Sequence, residues 1–167
     1  LRWAGLRYFN VAGAGWDDLG DMATLNLIPM VLDRLSKGET PKIFGTDYPT
    51  PDGTCVRDYI HVKDLASAHI AALDYLAGGQ DMAEHIFNVG TGQGASVREV
   101  VSKVIASTGL DLEPEELARR AGDPPQLIGN ATRIGEVLGW KAEHDLDDIV
   151  SSSYTSWQAD PNRPHFG

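Results

Sequence analysis

Lys42-Ile-Phe-Gly-Thr-Asp-Tyr-Pro-Thr-Pro-Asp-Gly-Thr-Cys-Val-Arg-Asp-Tyr-Ile-His-Val-Lys-Asp-Leu-Ala66 changes character three times. Lys42 to Gly45 is a short strand. Thr46 to Thr54 concentrates Pro, Gly and Asp, the residues that turn a backbone. Val56 to Val62 returns to β-branched and aromatic residues and reads as a second strand. Asp64 to Leu76 is a helix with an acidic first turn, stopped by Gly78-Gly79. Upstream, Leu6 to Val11 is a buried strand, Gly13 to Asp21 a loop, and Leu25 to Ser36 a helix. The apolar face of that helix is Leu25, Ile28, Val31, Leu32 and Leu35, with Asn26 as its cap, Pro29 in the first turn and Gly38 at its end. Downstream come a strand (Ile86 to Val89) and a helix (Ser96 to Ala106) with the Ser96/Glu99 spacing of a capping box. A strand running into a loop (Asp111 to Glu116), a short helix (Asn130 to Leu138) ended by Gly139, and a last helix follow. The last helix shows the stripe Leu146, Ile149, Val150, Tyr154 and Trp157 and stops before Pro161. Strands alternating with helices predict an α/β fold.

Composition narrows the function. The chain has 167 residues, one domain's worth, and 42% of them are hydrophobic, enough for a sizeable core. The formal net charge of -10 argues against general nucleic-acid binding, which needs a basic face. It leaves phosphate binding open, since one or two placed arginines suffice. No apolar run approaches the roughly 18 residues of a membrane helix. The single cysteine, Cys55, rules out an internal disulfide and fits a reducing, cytoplasmic setting. The chain opens inside a strand-like run without Met, so a piece of something longer is expected; no signal peptide is read there.

Five patterns bear on chemistry. Gly90-Thr-Gly92-Gln-Gly-Ala95 follows a strand and opens a helix, as a dinucleotide fingerprint does; it is equally a glycine-rich turn capped by Ser96. Tyr59 and Lys63 have the spacing of a dehydrogenase Tyr/Lys pair, but a strand does not bring i and i+4 onto one face as a helix would. The five histidines are scattered, so no metal site is predicted. A Ser/His/Asp triad lacks its nucleophile elbow, and His61 reads as an ordinary partly buried histidine. Arg57, Arg119 and Arg120 stand in or beside turn-rich loops, with Asp123 close by. Such guanidinium forks suit phosphate, with a carboxylate for a ribose hydroxyl, or simply pair with surface carboxylates.

Leu6-Arg-Tyr-Phe-Asn-Val-Ala-Gly-Ala, Asn26-Leu-Ile-Pro, the run from Ile43 to Ala66, Phe87-Asn-Val-Gly-Thr-Gly, Arg119-Arg-Ala-Gly-Asp123 and Leu138-Gly-Trp140 occur in this order. Over nearly its whole length the chain resembles the C-terminal half of nucleotide-sugar epimerases of the extended short-chain dehydrogenase/reductase family, in particular those acting on UDP-glucose and UDP-galactose. The resemblance implies the C-terminal part of a Rossmann fold, residues 1–12, followed by a small α/β substrate-binding lobe, mostly residues 13–167. It implies NAD as cofactor, galactose metabolism and a full-length homodimer. In the family a Tyr phenolate takes the 4-hydroxyl proton while hydride leaves C4, and the 4-keto sugar turns over about an anchored diphosphate. The Tyr/Lys pair and the cofactor fingerprint belong to the family's other half, so no catalytic residue is expected here and the isolated chain is expected to be inactive.

Residue by residue, the resemblance puts Tyr8 and Phe9 near the nicotinamide through their main chain. It puts Asn10 at the diphosphate or sugar, Asn26 and Leu27 at the mouth of the nucleotide pocket, and Lys42, Ile43 and Phe44 in the strand that reads uracil. Arg57 and Arg120 match the diphosphate arginines, Asp123 the ribose acceptor, and Leu127 a position that gates N-acetylated sugars by volume. The loop Gly15 to Thr24 lacks the family's Glu/His pattern, leaving its sugar contacts open. Another nucleotide-sugar epimerase, a dehydratase or decarboxylase, or a non-catalytic UDP-sugar-binding module are the alternatives.

Overall fold

The computed structural model describes residues 2–21, 23–79 and 85–166. In chain order the elements are β1 (Gly5–Tyr8), β2 (Asn10–Ala12), α1 (Leu27–Ser36), β3 (Lys42–Phe44), β4 (Val56–His61), α2 (Val62–Ala77) and β5 (Ile86–Val89). They continue with β6 (Gly94–Ser96), α3 (Val97–Thr108), β7 (Glu115–Leu117), β8 (Gln126–Leu127), α4 (Thr132–Leu138) and α5 (Leu146–Ala159). Among the described residues four of the five strand pairings are parallel: β1 with β5, β2 with β4, β3 with β7 and β4 with β8; β4 with β6 is antiparallel. The α/β expectation holds.

β4 divides the molecule. Its alternating side chains belong to two cores, because successive residues of a strand face opposite ways. Tyr59 lies in the first core, with Ile28, Val31, Leu32 and Leu35 of α1, Val100, Val101 and Val104 of α3, and Ile149 and Trp157 of α5. Ile60 lies in the second, with Ala68 of α2, Phe87 and Val89 of β5, Ile134 of α4 and Trp140.

Several boundaries differ from the sequence reading, each for a local reason. The strand expected over Leu6 to Val11 is interrupted at Phe9, and its two parts take different partners. The Phe9 ring lies so close to Gly90 and Gly129 that a Cβ on either glycine would stand within 3.1 Å of it. α1 starts at Leu27, not Leu25, which is largely exposed. Asn26 occupies the cap position, but its side chain does not cap: its amide donates instead to Asp21 Oδ2 at 2.9 Å. Ser96 does cap α3, accepting from the Glu99 amide at 2.9 Å. α2 begins at Val62 because the His61 ring caps it, accepting from the Lys63 amide at 3.1 Å. Asn130 stands outside α4, its side-chain oxygen accepting from the Thr132 amide. The short β6 and β8, which the sequence reading did not foresee, are held by pairing to β4 and not by apolar pattern.

α2 buries Asp64, Ala68 and Ala72 and leaves Ile70 and Leu73 61% and 64% exposed. Trp3 and Tyr8 are about half exposed as well.

Candidate functional site

The site is assembled along one face of β4 and the loop Arg119 to Asp123. Arg57 and Tyr59 are two residues apart on β4, hence on one face. Tyr59 is the register partner of Asn10 in the parallel β2–β4 pair. Asn10, Tyr59, Asn26 and Leu27 line one cavity of about 170 Å³, with Gly13 and Asp21 also in its wall.

Arg57 is held before any ligand arrives. Its side chain is only 14% exposed, and Nη1 donates to the carbonyls of Val56 and Pro124, both at 2.9 Å. Nη2 stands 3.5 Å from Asp123 Oδ1. The pairing of Arg57 with a nearby carboxylate, left open by the sequence, is therefore realised, and with the residue nominated as ribose acceptor. The adjacent arginines divide their work. Arg119 pairs with Asp47 and lies over the Tyr48 ring, 4.2 Å from guanidinium carbon to ring centre. The bond to Arg119, its first cause, holds the Asp47 carboxyl below its usual range. Arg120 lies over the Phe44 ring at 3.9 Å and, among the described residues, makes no hydrogen bond or ion pair. Of the two, Arg120 is the one with donors to spare.

β3 presents its three residues differently. Ile43 is fully buried in the first core, so only its backbone is available to a ligand. Lys42 Nζ is 3.6 Å from Glu115. β7 pairs with one edge of β3, and no described strand takes the other. Leu127 pairs with Arg57 in the β4–β8 register and is 52% exposed. Tyr8 ends β1, and its hydroxyl is 2.7 Å from His69 Nε2. Because His69 Nδ1 lies 2.8 Å from the Leu65 carbonyl, it carries the ring proton, and the Tyr8 hydroxyl is the donor to Nε2. Of the nominated residues, the structure brings Asn10, Asn26 and Leu27 to one cavity, Arg57 together with Asp123 and Leu127, and Arg120 onto Phe44.

The glycine-rich loop has a different occupant from a dinucleotide. Asp58, fully buried and next to Arg57, turns to the other face of β4. Its Oδ1 accepts from the Thr91 amide at 2.9 Å and hydroxyl at 2.7 Å, and its Oδ2 from the amides of Gly92 at 3.0 Å and Gly129 at 3.1 Å. The loop amides that would grip a pyrophosphate are already given to this internal carboxylate. A Cβ on Gly90 would stand 2.6 Å from Asp58 Oδ2, so the glycine serves close packing. Sequence reading gave Asp58 no role; an acid opposite a Gly-Thr-Gly turn was the available signal.

The Tyr59/Lys63 spacing comes apart as expected, with Tyr59 in β4 and Lys63 in α2. His61 is 1% exposed, more deeply buried than read from the sequence. Its Nδ1 accepts from the Lys63 amide, so Nε2 carries the proton and donates to Ser152 Oγ at 3.0 Å. A histidine in that tautomer does not deprotonate a serine, which disposes of a triad. Burial, and then the His144 ring stacked at 4.4 Å, lower the pKa of His61. The folded state thus prefers the neutral ring, and that contribution is present above the unfolded value of about 6.5 and lost as pH falls through the lowered folded value. Acidification from pH 7.5 to 5 is expected to lower the melting temperature, and His61→Gln is expected to flatten the slope; equal slopes in both proteins would refute this.

The largest concavity among the described residues, about 1120 Å³, lies elsewhere, between the Gly90–Ala95 loop and the segment from Trp140 to Leu146. Tyr59 alone joins it to the smaller cavity. Glu99, Glu136, Glu143 and Asp145 line it against a single lysine, Lys141, so it is the wrong place for a diphosphate.

The sequence pattern of the NAD dependent epimerase/dehydratase family matches residues 1–90. A UDP-glucose 4-epimerase of Azospirillum brasilense is 48% identical over 95% of this chain and 46% of its own length. One of Corynebacterium glutamicum is 44% identical over 96% of this chain and 49% of its own. Among solved structures, a UDP-glucose 4-epimerase of Stenotrophomonas maltophila with bound NAD and formylated UDP-arabinopyranose superposes with a TM-score of 0.85 at 40% identity, over 95% of this chain and 48% of that one. Another, of Bifidobacterium longum with NAD+ and UDP, gives 0.82 at 39% identity, over 94% and 48%. The chain spans about half the length of the relatives it matches.

Proposed function

The chain belongs to the NAD dependent epimerase/dehydratase family, and on that footing we propose that it is the UDP-sugar-binding half of an NAD-dependent 4-epimerase interconverting UDP-glucose and UDP-galactose. The reading is carried by two guanidinium groups, one on β4 and one in the loop that brings Asp123 to it. Arg57 is anchored by two carbonyls, and Arg120 is laid on Phe44 with its donors uncommitted. Together they are suited to gripping a diphosphate through charge-assisted bonds. Asp123, three residues after Arg120 and paired with Arg57, is the ribose acceptor, and the backbone of Lys42, Ile43 and Phe44 reads the uracil. Asn10, Asn26 and Leu27 line the adjoining cavity. In this arrangement the nucleotide is held at one end while the hexose remains able to turn, which epimerisation at C4 demands. Leu127, beside Arg57, sets by its volume whether an N-acetylated sugar is admitted.

NAD, when bound, supplies the hydride acceptor. On this chain the residues facing it are Tyr8 and Phe9, at the junction of β1 and β2. The Gly90–Gly94 loop does not fit its pyrophosphate, because Asp58 holds those amides. The proposal assigns residues 1–12 to the end of the cofactor-binding domain and 13–167 mostly to the substrate lobe. It also takes the full-length protein to be a cytoplasmic homodimer acting in galactose metabolism. Among the described residues no helix is long and apolar enough to cross a membrane.

The purified chain is expected to bind UDP in calorimetry and to leave UDP-galactose unconverted, because it carries no Tyr/Lys pair on a helix. Turnover by the chain alone overturns the division of labour. Failure to bind UDP overturns the assignment of the arginines.

A further inference from the structure

We propose that Arg119 is a positioning residue: clipped to Asp47 and Tyr48, it sets where Arg120 stands for the nucleotide without touching the nucleotide itself. The inference rests on the proposed function. After β7 ends at Leu117 the chain takes no strand partner again until β8. This strap is fastened at both ends. At its far end the carbonyls of Pro124 and Pro125 accept from Arg57 Nη1 and the Val56 amide, both at 2.9 Å. At its near end Arg119 Nε donates to Asp47 Oδ1 and Nη2 to the Asp47 carbonyl, while the guanidinium lies over the Tyr48 ring. Between the fastenings Gly122 takes a φ of +86°, and Arg120 makes no hydrogen bond or ion pair among the described residues.

The surroundings of the near fastening are shaped to hold it. Tyr48 is 5% exposed, its amide donates to the Gly53 carbonyl at 2.9 Å, and its own carbonyl accepts from the Thr50 amide at 2.8 Å. Its hydroxyl is buried without a partner, so packing and the cation on its face hold the ring, not a hydroxyl bond. Gly45, at a φ of +84°, leaves room for the stack: a Cβ there would stand 2.7 Å from Arg119 Cγ and closer still to the Tyr48 ring. The Nε/Nη2 side of Arg119, the side that would grip a phosphate bidentately, is spent on Asp47. With Asp47 75% exposed, the ion pair adds little to stability. What it supplies is pre-orientation of the residue that follows, which lowers the ordering cost of binding.

In the full chain Arg119→Ala and Asp47→Ala are each expected to raise the Kd for UDP by about three- to tenfold, the cost of ordering one freed side chain, at a nearly unchanged melting temperature. The double variant is expected to be no worse than either, since both remove one clip. In an Arg120→Ala background Arg119→Ala is expected to add nothing, because no guanidinium is left to position. Tyr48→Phe keeps the aromatic face and loses only an unbonded hydroxyl, so it is expected to bind UDP as the wild type does. An Arg119→Ala loss that persists undiminished without Arg120, or that Asp47→Ala fails to reproduce, makes Arg119 a direct contact and overturns the proposal. Wild-type affinity in Arg119→Ala also overturns it and leaves the functional reading intact. A wild-type chain that does not bind UDP brings down both.

Discussion

Asp58→Ala is expected to destabilise the chain by about 3 kcal/mol, the upper end for losing hydrogen bonds to a charged group. The carboxylate receives bonds from three backbone amides and one hydroxyl, which come from the Gly90–Gly94 loop and from Gly129. Without it the Gly129 amide stays buried and unpaired, at about 1–3 kcal/mol, whereas the half-buried Thr91 and Gly92 amides can turn to water. Total stability of an ordinary domain is only about 5–15 kcal/mol, so the loss should show as a large shift in the urea midpoint. Asp58→Asn is not expected to rescue it. Both oxygens of the acid accept backbone N–H groups, so one end of the amide would face donors with a donor. An Asn variant that unfolds with the wild-type midpoint would show that the second acceptor is dispensable.

Arg57→Ala is expected to weaken UDP binding by about 1.5–3 kcal/mol, the usual worth of a hydrogen bond to a charged group. That corresponds to roughly tenfold to more than a hundredfold in Kd. The guanidinium is pre-oriented by the Val56 and Pro124 carbonyls, so little side-chain entropy remains to be lost when the ligand arrives. Arg57→Lys keeps the charge but loses the planar fork, and is expected to fall between the two. Calorimetry showing wild-type UDP affinity in the Ala variant would remove Arg57 from the site. Arg57 and Asp58 adjoin in sequence and face opposite sides of β4, so the first substitution should act on binding and the second on folding.

The sequence nominates residues for the proposed site where a motif fixes residue types in order: the guanidinium at Arg57, the pair Arg119-Arg120, the acid at Asp123. Spacing alone left both arginines of that pair eligible. The fold distinguishes them, because Asp47 and Tyr48 occupy Arg119 whereas Arg120 meets only an aromatic face. Asn26 was read as a helix cap because its type and position suit one; Asp21, five residues earlier, captures its amide. β6 and β8 were invisible because segments of two or three residues have no period to detect, and their strand character comes from β4.

The amino-acid pattern by itself determined the alternation of strands and helices, the apolar faces of α1 and α5, and the Ser96 cap, since these depend on residues within a few positions of each other. What Gly90-Thr-Gly92-Gln-Gly does was decided only by tertiary structure. A run of free amides invites any anion, and which anion arrives depends on what the fold brings alongside. Here it brings Asp58 from 33 positions away along the chain to Thr91. The same strand, by alternation, turns Tyr59 toward the cavity that Asn10 and Asn26 share, a neighbourhood that no stretch of the sequence contains.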